Sequence, residues 1–177
     1  HFESWLKALT ASAKPRVIVL NYPSNPTGAY PTRDYLQKLQ DFAKEHSLWI
    51  VSDEVYGSLF YEGRPTSAAA IEGAKERTLI INSLSKSYAM TGWRVGFLAA
   101  PAHIIENALK AGQNSITCVA PFIQKAAAFA LTDPAMQEFT EEMRTGYSRR
   151  RDLVLRLSHQ LESEKVKVIP PQGAFYF

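Results

Sequence analysis

"SLSKSYAMTGWRVG", residues 83–96, decides how this chain is read. Lys86 follows Ser83 and Ser85, Arg94 comes eight residues later, and no acidic side chain interrupts the stretch. Two hydroxyls and two cations without a neutralising carboxylate form either a solvated surface turn or a site awaiting an anion from outside the protein. An apolar run, "RTLIINS" (77–83), leads into the stretch and another, "VGFLAAP" (95–101), leads out of it. Runs this short, bounded by turn chemistry and rich in β-branched residues, read as buried strands. The polar cluster therefore falls where one strand ends and the next begins.

Two similar runs lie upstream: "RVIVLNYP" (16–23), closed by a proline, and "LWIVSDE" (48–54). Between them a helix is expected. Thr32 suits its cap, Asp34 its first turn, and Tyr35, Leu39 and Phe42 share a face at i, i+4 and i+7. Strands joined through helices predict an α/β fold, a mostly parallel sheet with helices on both faces. Ligands of such sheets bind beyond the carboxyl ends of the strands. The polar residues just past each apolar run are thus the candidates: Asn25, then Asp53 and Tyr56, then Ser83, Ser85 and Lys86, with Arg94 before the fourth strand. Singly, each has a plainer reading. "NPTG" is good turn chemistry, an Asp closing a strand often caps a turn, and lysines are mostly exposed. Their convergence on one sheet edge is what argues for a site. Ser83 and Ser85 are expected to point the same way from an extended segment while Leu84 turns into the core.

After Pro101 the pattern becomes helical, over 102–113, about 120–132, and then a long helix with Asp133 as its N-cap and Pro134 in its first turn. Met136, Phe139, Met143 and Tyr147 form its apolar stripe, continued by Val154, Leu157 and Leu161, and the helix is expected to run near 163. "VKVIPPQGAFYF" (166–177) is expected to supply two short strands of a second unit. The resulting division is 1–145 for part of a large domain and 146–177 for a linking helix and the beginning of a small α+β domain. The chain opens without methionine and stops in mid-alternation, so a fragment of a longer polypeptide is expected.

The composition, 46% hydrophobic and 21% charged over 177 residues, suits one globular domain with a substantial core. The 20 basic and 17 acidic residues are interspersed, which argues against a nucleic-acid surface, and Arg149 to Arg151 read as a solvated helix face. Cys118 is the only cysteine, so there is no intrachain disulfide and no thiolate metal site, and a reducing, cytoplasmic setting is expected. His1, His46, His103 and His159 have no ligand spacing, so no metal is expected. No stretch approaches the roughly 18 continuous apolar residues that a membrane span needs.

No glycine precedes Lys86 at the spacing of a phosphate loop, and neither G-x-G-x-x-G nor G-x-S-x-G occurs. Taken in order, "NYPSNPTG", "SDEVY", "SLSKSYAMTGWRVG" and "PQGAFYF" resemble the fold-type I pyridoxal-phosphate aminotransferases of class I and II, most nearly the bacterial aspartate and aromatic subgroups. The resemblance covers essentially the whole chain, as the second half of the large domain and the start of the small one.

The resemblance implies pyridoxal 5′-phosphate as cofactor and assigns each candidate a role. Lys86 would hold the cofactor as an imine and then shuttle the substrate's Cα proton. Asp53 would keep the pyridine nitrogen protonated, making the ring an electron sink. Tyr56 and Asn25 would donate to the phenolate oxygen, and Ser83, Ser85 and Arg94 would bind the phosphate, the anion missing from the opening stretch. Asn25-Pro26 becomes a candidate cis bond. It implies a homodimeric aminotransferase acting on an aspartate-like or aromatic amino acid and a 2-oxo acid, with no membrane or nucleic-acid partner. A β C–S lyase using the same cofactor site, and the aminotransferase-like sensor domain of a transcription regulator, are the alternatives.

Overall fold

The computed structural model describes residues 15–158, 160 and 167–177, together with Ser4 and Ala8. Four strands form one sheet in the order β1-β2-β3-β4: β1 is Val17–Asn21, β2 Trp49–Asp53, β3 Thr78–Ser83 and β4 Gly96–Ala99. β1, β2 and β3 run parallel, in a register that aligns Asn21 with Asp53 and Asp53 with Ile81. β4 lies antiparallel to β3, with Gly96 opposite Ser83. The short connection over 84–95 reaches the neighbouring position directly, so the beginning of β4 meets the ends of the other three strands. That reversal brings Arg94 to the edge where the other candidate residues lie.

The crossover from β1 to β2 is helix α1, Arg33–Glu45. Thr32 caps it as expected, its hydroxyl accepting from the Tyr35 N–H at 3.2 Å. The buried face centres one position later than the expected stripe, on Leu36, Leu39 and Ala43 with Gln40, while Phe42 packs at its margin. From β2 to β3 the chain uses no α-helix. Two 3-10 turns, Ala68–Ala70 and Ala74–Glu76, serve instead, and Ala68 and Ala74 pack with α1 against one sheet face. Ile18, Leu20 and Ile50 complete that core. Full burial of a Leu or Ile stabilises by roughly 1.5–3 kcal/mol, and Leu39 and Ile50 are wholly buried. The opposite face carries Val17, Val19 and Ile81, exposed by 46%, 71% and 43%.

The second half is helical, with α2 the single turn Leu84–Ser87, α3 Ala102–Ser115, α4 Pro121–Thr132 and α5 Pro134–Ser158. Asp133 caps α5, its carboxylate accepting from the Ala135 N–H at 2.9 Å. α5 has 25 described residues, about 38 Å at 1.5 Å each. Its expected extension to 163, with Leu161, lies outside the described residues. α5 links two apolar clusters. Met136 packs with Leu84, Met90, Val95 and α4, and Met143 and Tyr147 pack with Tyr56, Leu59 and Ala174. Val166 also lies outside the described residues, and from 167 onward the chain is not two strands. It makes one isolated antiparallel bridge, Gly173 with Phe60. Gly28 accounts for this, because its carbonyl accepts from the N–H groups of both Gln172 (3.0 Å) and Gly173 (2.7 Å), leaving no continuous ladder.

Candidate active site

Ser83 ends β3 and caps α2. Its backbone is extended and its hydroxyl accepts from the Ser85 N–H at 3.1 Å. Ser85 therefore sits in the first turn of a helix rather than in a strand, which corrects the extended reading of this pair. The hydroxyls still meet, at 2.8 Å, because an N-cap folds back over the turn it caps. Ser83 Oγ also lies 3.0 Å from the Val95 carbonyl, and Leu84 is buried as expected. Thr91 secures the turn by donating to the Ser85 carbonyl at 2.9 Å.

Ser83, Ser85, Arg94 and Gly96 line one open recess of about 490 Å³. Arg94 is exposed, and its guanidinium donates to the Thr91 carbonyl at 3.1 Å. Gly92 and Gly96 flank Arg94, and Gly96 is the one the fold requires, since a Cβ there would stand 2.6 Å from the Asn82 carbonyl oxygen across the strand pair. A Cβ on Gly92 would meet nothing within 4 Å. Two hydroxyls and a guanidinium make a donor set suited to a phosphate.

A second group gathers around Lys86, the third residue of α2. The Lys86 ammonium stands 6.0 Å from the centre of the Tyr56 ring and 5.4 Å from that of Phe175. Asp53 Oδ1 accepts from the Val55 N–H at 3.2 Å, so the plain turn-capping role is met by one carboxylate oxygen. Tyr56 is buried, and its hydroxyl is 2.6 Å from that of Tyr176. Burial raises the Tyr56 phenol above the ordinary tyrosine range, helped by the Tyr176 hydrogen bond and the Asp53 charge. A carboxylate, a phenol and an amine at one sheet edge suit a pyridine ring that also carries a phenolic oxygen and an aldehyde.

Asn25 stands apart. It is exposed, its own N–H donates to Asn21 Oδ1 at 3.3 Å, and its side chain makes no hydrogen bond to Asp53, Tyr56 or Lys86 among the described residues. The Asn25-Pro26 bond is cis as expected, and so is Tyr22-Pro23.

Sequence reasoning passed over three residues. Glu54 turns away from Asp53 to the opposite face, where Oε1 accepts from Ser52 Oγ (3.1 Å), Ser67 Oγ (2.9 Å) and the Ala68 N–H (2.9 Å). It ties the end of β2 to the turn at 68–70. Phe175 and Tyr176 close over Tyr56, Phe175 edge-on at 5.4 Å and Tyr176 at 5.7 Å. Their motif was visible in the sequence, but as strand alternation it carried no hint of this contact.

The sequence matches the family description "Aminotransferase class I and II" over residues 1–177. It is 46% identical over 164 residues to the aromatic-amino-acid aminotransferase 2 of Thermococcus litoralis, covering 92% of this chain and 41% of that protein. With the aspartate aminotransferase of Pyrococcus abyssi the identity is 44% over the same shares. The fold superposes on the aromatic aminotransferase of Pyrococcus horikoshii with a TM-score of 0.90 and 40% identity, covering 98% of this chain and 46% of that one. For the Thermus thermophilus aspartate aminotransferase with maleate the values are 0.89 and 37%, over 97% and 44%. The chain thus spans about two fifths of the length of the relatives it matches. Matched by the family along its whole length and superposing on its solved members over nearly all of it, the chain belongs to the class I and II aminotransferase family.

Proposed function

We propose that this chain is the cofactor-holding part of a pyridoxal-5′-phosphate-dependent aminotransferase. The complete protein moves an amino group between an α-amino acid, aspartate-like or aromatic, and a 2-oxo acid. The observation that carries the reading is the meeting of an amine, a carboxylate, a phenol and a phosphate-type donor set around one single-turn helix, α2, in a chain of this family. The cofactor supplies an electron sink conjugated to the reacting carbon.

The chain's own residues do the rest. Lys86 attaches the cofactor and, once freed, holds and returns the substrate's Cα proton. Asp53 is the anion for the pyridine N–H, and an asparagine in its place would keep the turn cap to Val55 without the charge. Tyr56 and Asn25 donate to the phenolic oxygen, and for Asn25 this requires its exposed side chain to turn toward the site. Ser83, Ser85 and Arg94 bind the phosphate. We assign residues 1–145 to the large domain and 146–177 to the linking helix and the start of the small domain, in a cytoplasmic homodimer. No helix among the described residues is long and apolar enough to cross a membrane.

The test uses the complete protein. Lys86→Ala is expected to abolish the visible absorbance of covalently held pyridoxal phosphate and nearly all turnover. Asp53→Asn is expected to keep that absorbance and the melting temperature but slow Cα proton removal about a thousandfold, which corresponds to about 4 kcal/mol. Normal turnover in Lys86→Ala, or release of pyruvate and ammonia in place of a new amino acid, overturns the assignment.

A further inference from the structure

We propose that Tyr176 is a positioning residue for this site. Its hydroxyl accepts the hydrogen bond of Tyr56 while the site is empty, and donates to Tyr56 once an anionic oxygen draws the Tyr56 proton toward itself. The proposal rests on the reading of Tyr56 as a donor to the cofactor's phenolic oxygen.

The geometry of the pair comes first. The two hydroxyl oxygens are 2.6 Å apart, and either can be the donor. A phenol that accepts a hydrogen bond is left with its own O–H to give away, and donates it more strongly because hydrogen bonds in a chain polarise one another. Tyr176 to Tyr56 to an external oxygen is such a chain. Without Tyr176, a phenol buried as deeply as Tyr56 would lack this partner in the empty site, at the desolvation cost of an unmade hydrogen bond.

Tyr176 is also held where it can do this. Gln172 and Gly173 donate to the Gly28 carbonyl, Ala174 donates to the Leu59 carbonyl at 2.9 Å, and Tyr61 donates back to the Gln172 carbonyl at 2.9 Å. Phe175 anchors the next position, stacked on Tyr147 at 5.6 Å and edge-on to Tyr56. Tyr176 is thus a fixed partner delivered from the far end of the chain, 120 residues from Tyr56. The titratable groups facing Tyr56 are Asp53 from the end of β2, Lys86 from α2, Tyr176 itself and, across Phe175, Tyr147 from α5. Apart from Tyr176, none of them offers Tyr56 a hydroxyl at hydrogen-bonding distance among the described residues.

The experiment compares the complete wild-type protein with Tyr176→Phe, Tyr56→Phe and the double variant. In cofactor-free protein, the Tyr56 ionisation is isolated as the tyrosinate absorbance difference between a protein and its Tyr56→Phe counterpart. Tyr176→Phe is expected to shift that ionisation, because it removes both the acceptor of the neutral phenol and the donor to its anion, and an unmoved ionisation overturns the proposal whether or not the protein takes up cofactor. After loading with pyridoxal phosphate, the visible absorbance is titrated with pH. A weaker donor at the phenolic oxygen makes the adjoining nitrogen more basic, so Tyr176→Phe is expected to raise the midpoint by about 0.3–1 unit. Tyr56→Phe is expected to raise it further, and the double variant to match Tyr56→Phe, because Tyr176 acts through Tyr56. A merely structural tyrosine would leave the midpoint in place, and a double variant shifted beyond Tyr56→Phe would show Tyr176 acting independently. Either result overturns the proposal. Failure of the wild type to bind pyridoxal phosphate would instead overturn the cofactor reading, leaving the cofactor-free titration to decide on Tyr176.

Discussion

Arg94 holds φ 54° and ψ 47°, a left-handed conformation that costs a non-glycine residue about 1–2 kcal/mol. The neighbouring recess makes the reason plain. This backbone turn lets the side chain line the same space as Ser83 and Ser85 while Val95 goes on to enter the core. Strain kept at such a position is expected where function requires it. Arg94→Gly should therefore be more stable than Arg94→Ala by about 1 kcal/mol, since only glycine relieves the conformation. Both should lose pyridoxal phosphate more readily on dialysis. Chemical denaturation and a cofactor-retention assay check the two halves separately, and equal stability of the variants would show that the turn carries no strain.

Two segments distant in sequence interlock around Gly28. The loop after β1 presents Gly28 at φ +65°, and the segment at 171–174 packs directly on it. A Cβ at 28 would lie 2.4 Å from Pro171 Cβ and 2.6 Å from the Gly173 carbonyl oxygen. "NPTG" is thus more than a turn, because its glycine is the floor on which the segment carrying Tyr176 rests. Arg151 of α5 fastens the same segment, donating to the Pro171 carbonyl at 2.8 Å and pairing with Glu62 at 2.6 Å. Gly28→Ala is expected to undock the segment, because the added methyl meets backbone and ring atoms that cannot rotate away. Amide hydrogen exchange should rise at Gln172, Gly173 and Ala174 far more than in β1 or β2, with a total cost of about 1–3 kcal/mol. Unchanged protection of those three amides would contradict this account of the glycine.

At the scale of the whole molecule, tyrosines that folding wholly or partly buries are expected to weaken the fold at high pH. Burial is the first cause raising Tyr30, Tyr35, Tyr56 and Tyr61 above the ordinary value of 10.0, and for Tyr56 the Tyr176 hydroxyl and the Asp53 charge add to it. A raised phenol binds its proton more tightly folded than unfolded. The stability it contributes is intact below about pH 10 and is lost as the pH climbs through the folded-state value, where the unfolded chain has already ionised. Melting temperatures are expected to be level with respect to these groups up to about pH 10 and to fall above it. Tyr61→Phe should soften that fall by removing one such group, at the expense of its hydrogen bond to the Ala174 carbonyl.

The sequence by itself determined most of the elements and the set of candidate residues. Strand runs, the caps at Thr32 and Asp133, and the spacing of Ser83, Ser85, Lys86 and Arg94 are local properties, set by side-chain period and backbone preference over a few residues. They sufficed to place four strands, name the family and choose the candidate residues. Only the tertiary structure decided what those residues touch. Whether Ser85 sits in strand or helix depended on a cap hydrogen bond stronger than the local alternation. That β4 reverses, bringing Arg94 to the site, is a pairing choice that no period in the sequence encodes. Glu54 and Asp53 are adjacent in sequence, yet the pleat sends them to opposite faces and different tasks. Tyr176 meets Tyr56 only because the chain returns across 120 positions and docks on Gly28. Contacts of that span depend on the shape of both partners at once, and either motif read alone contains half of the information.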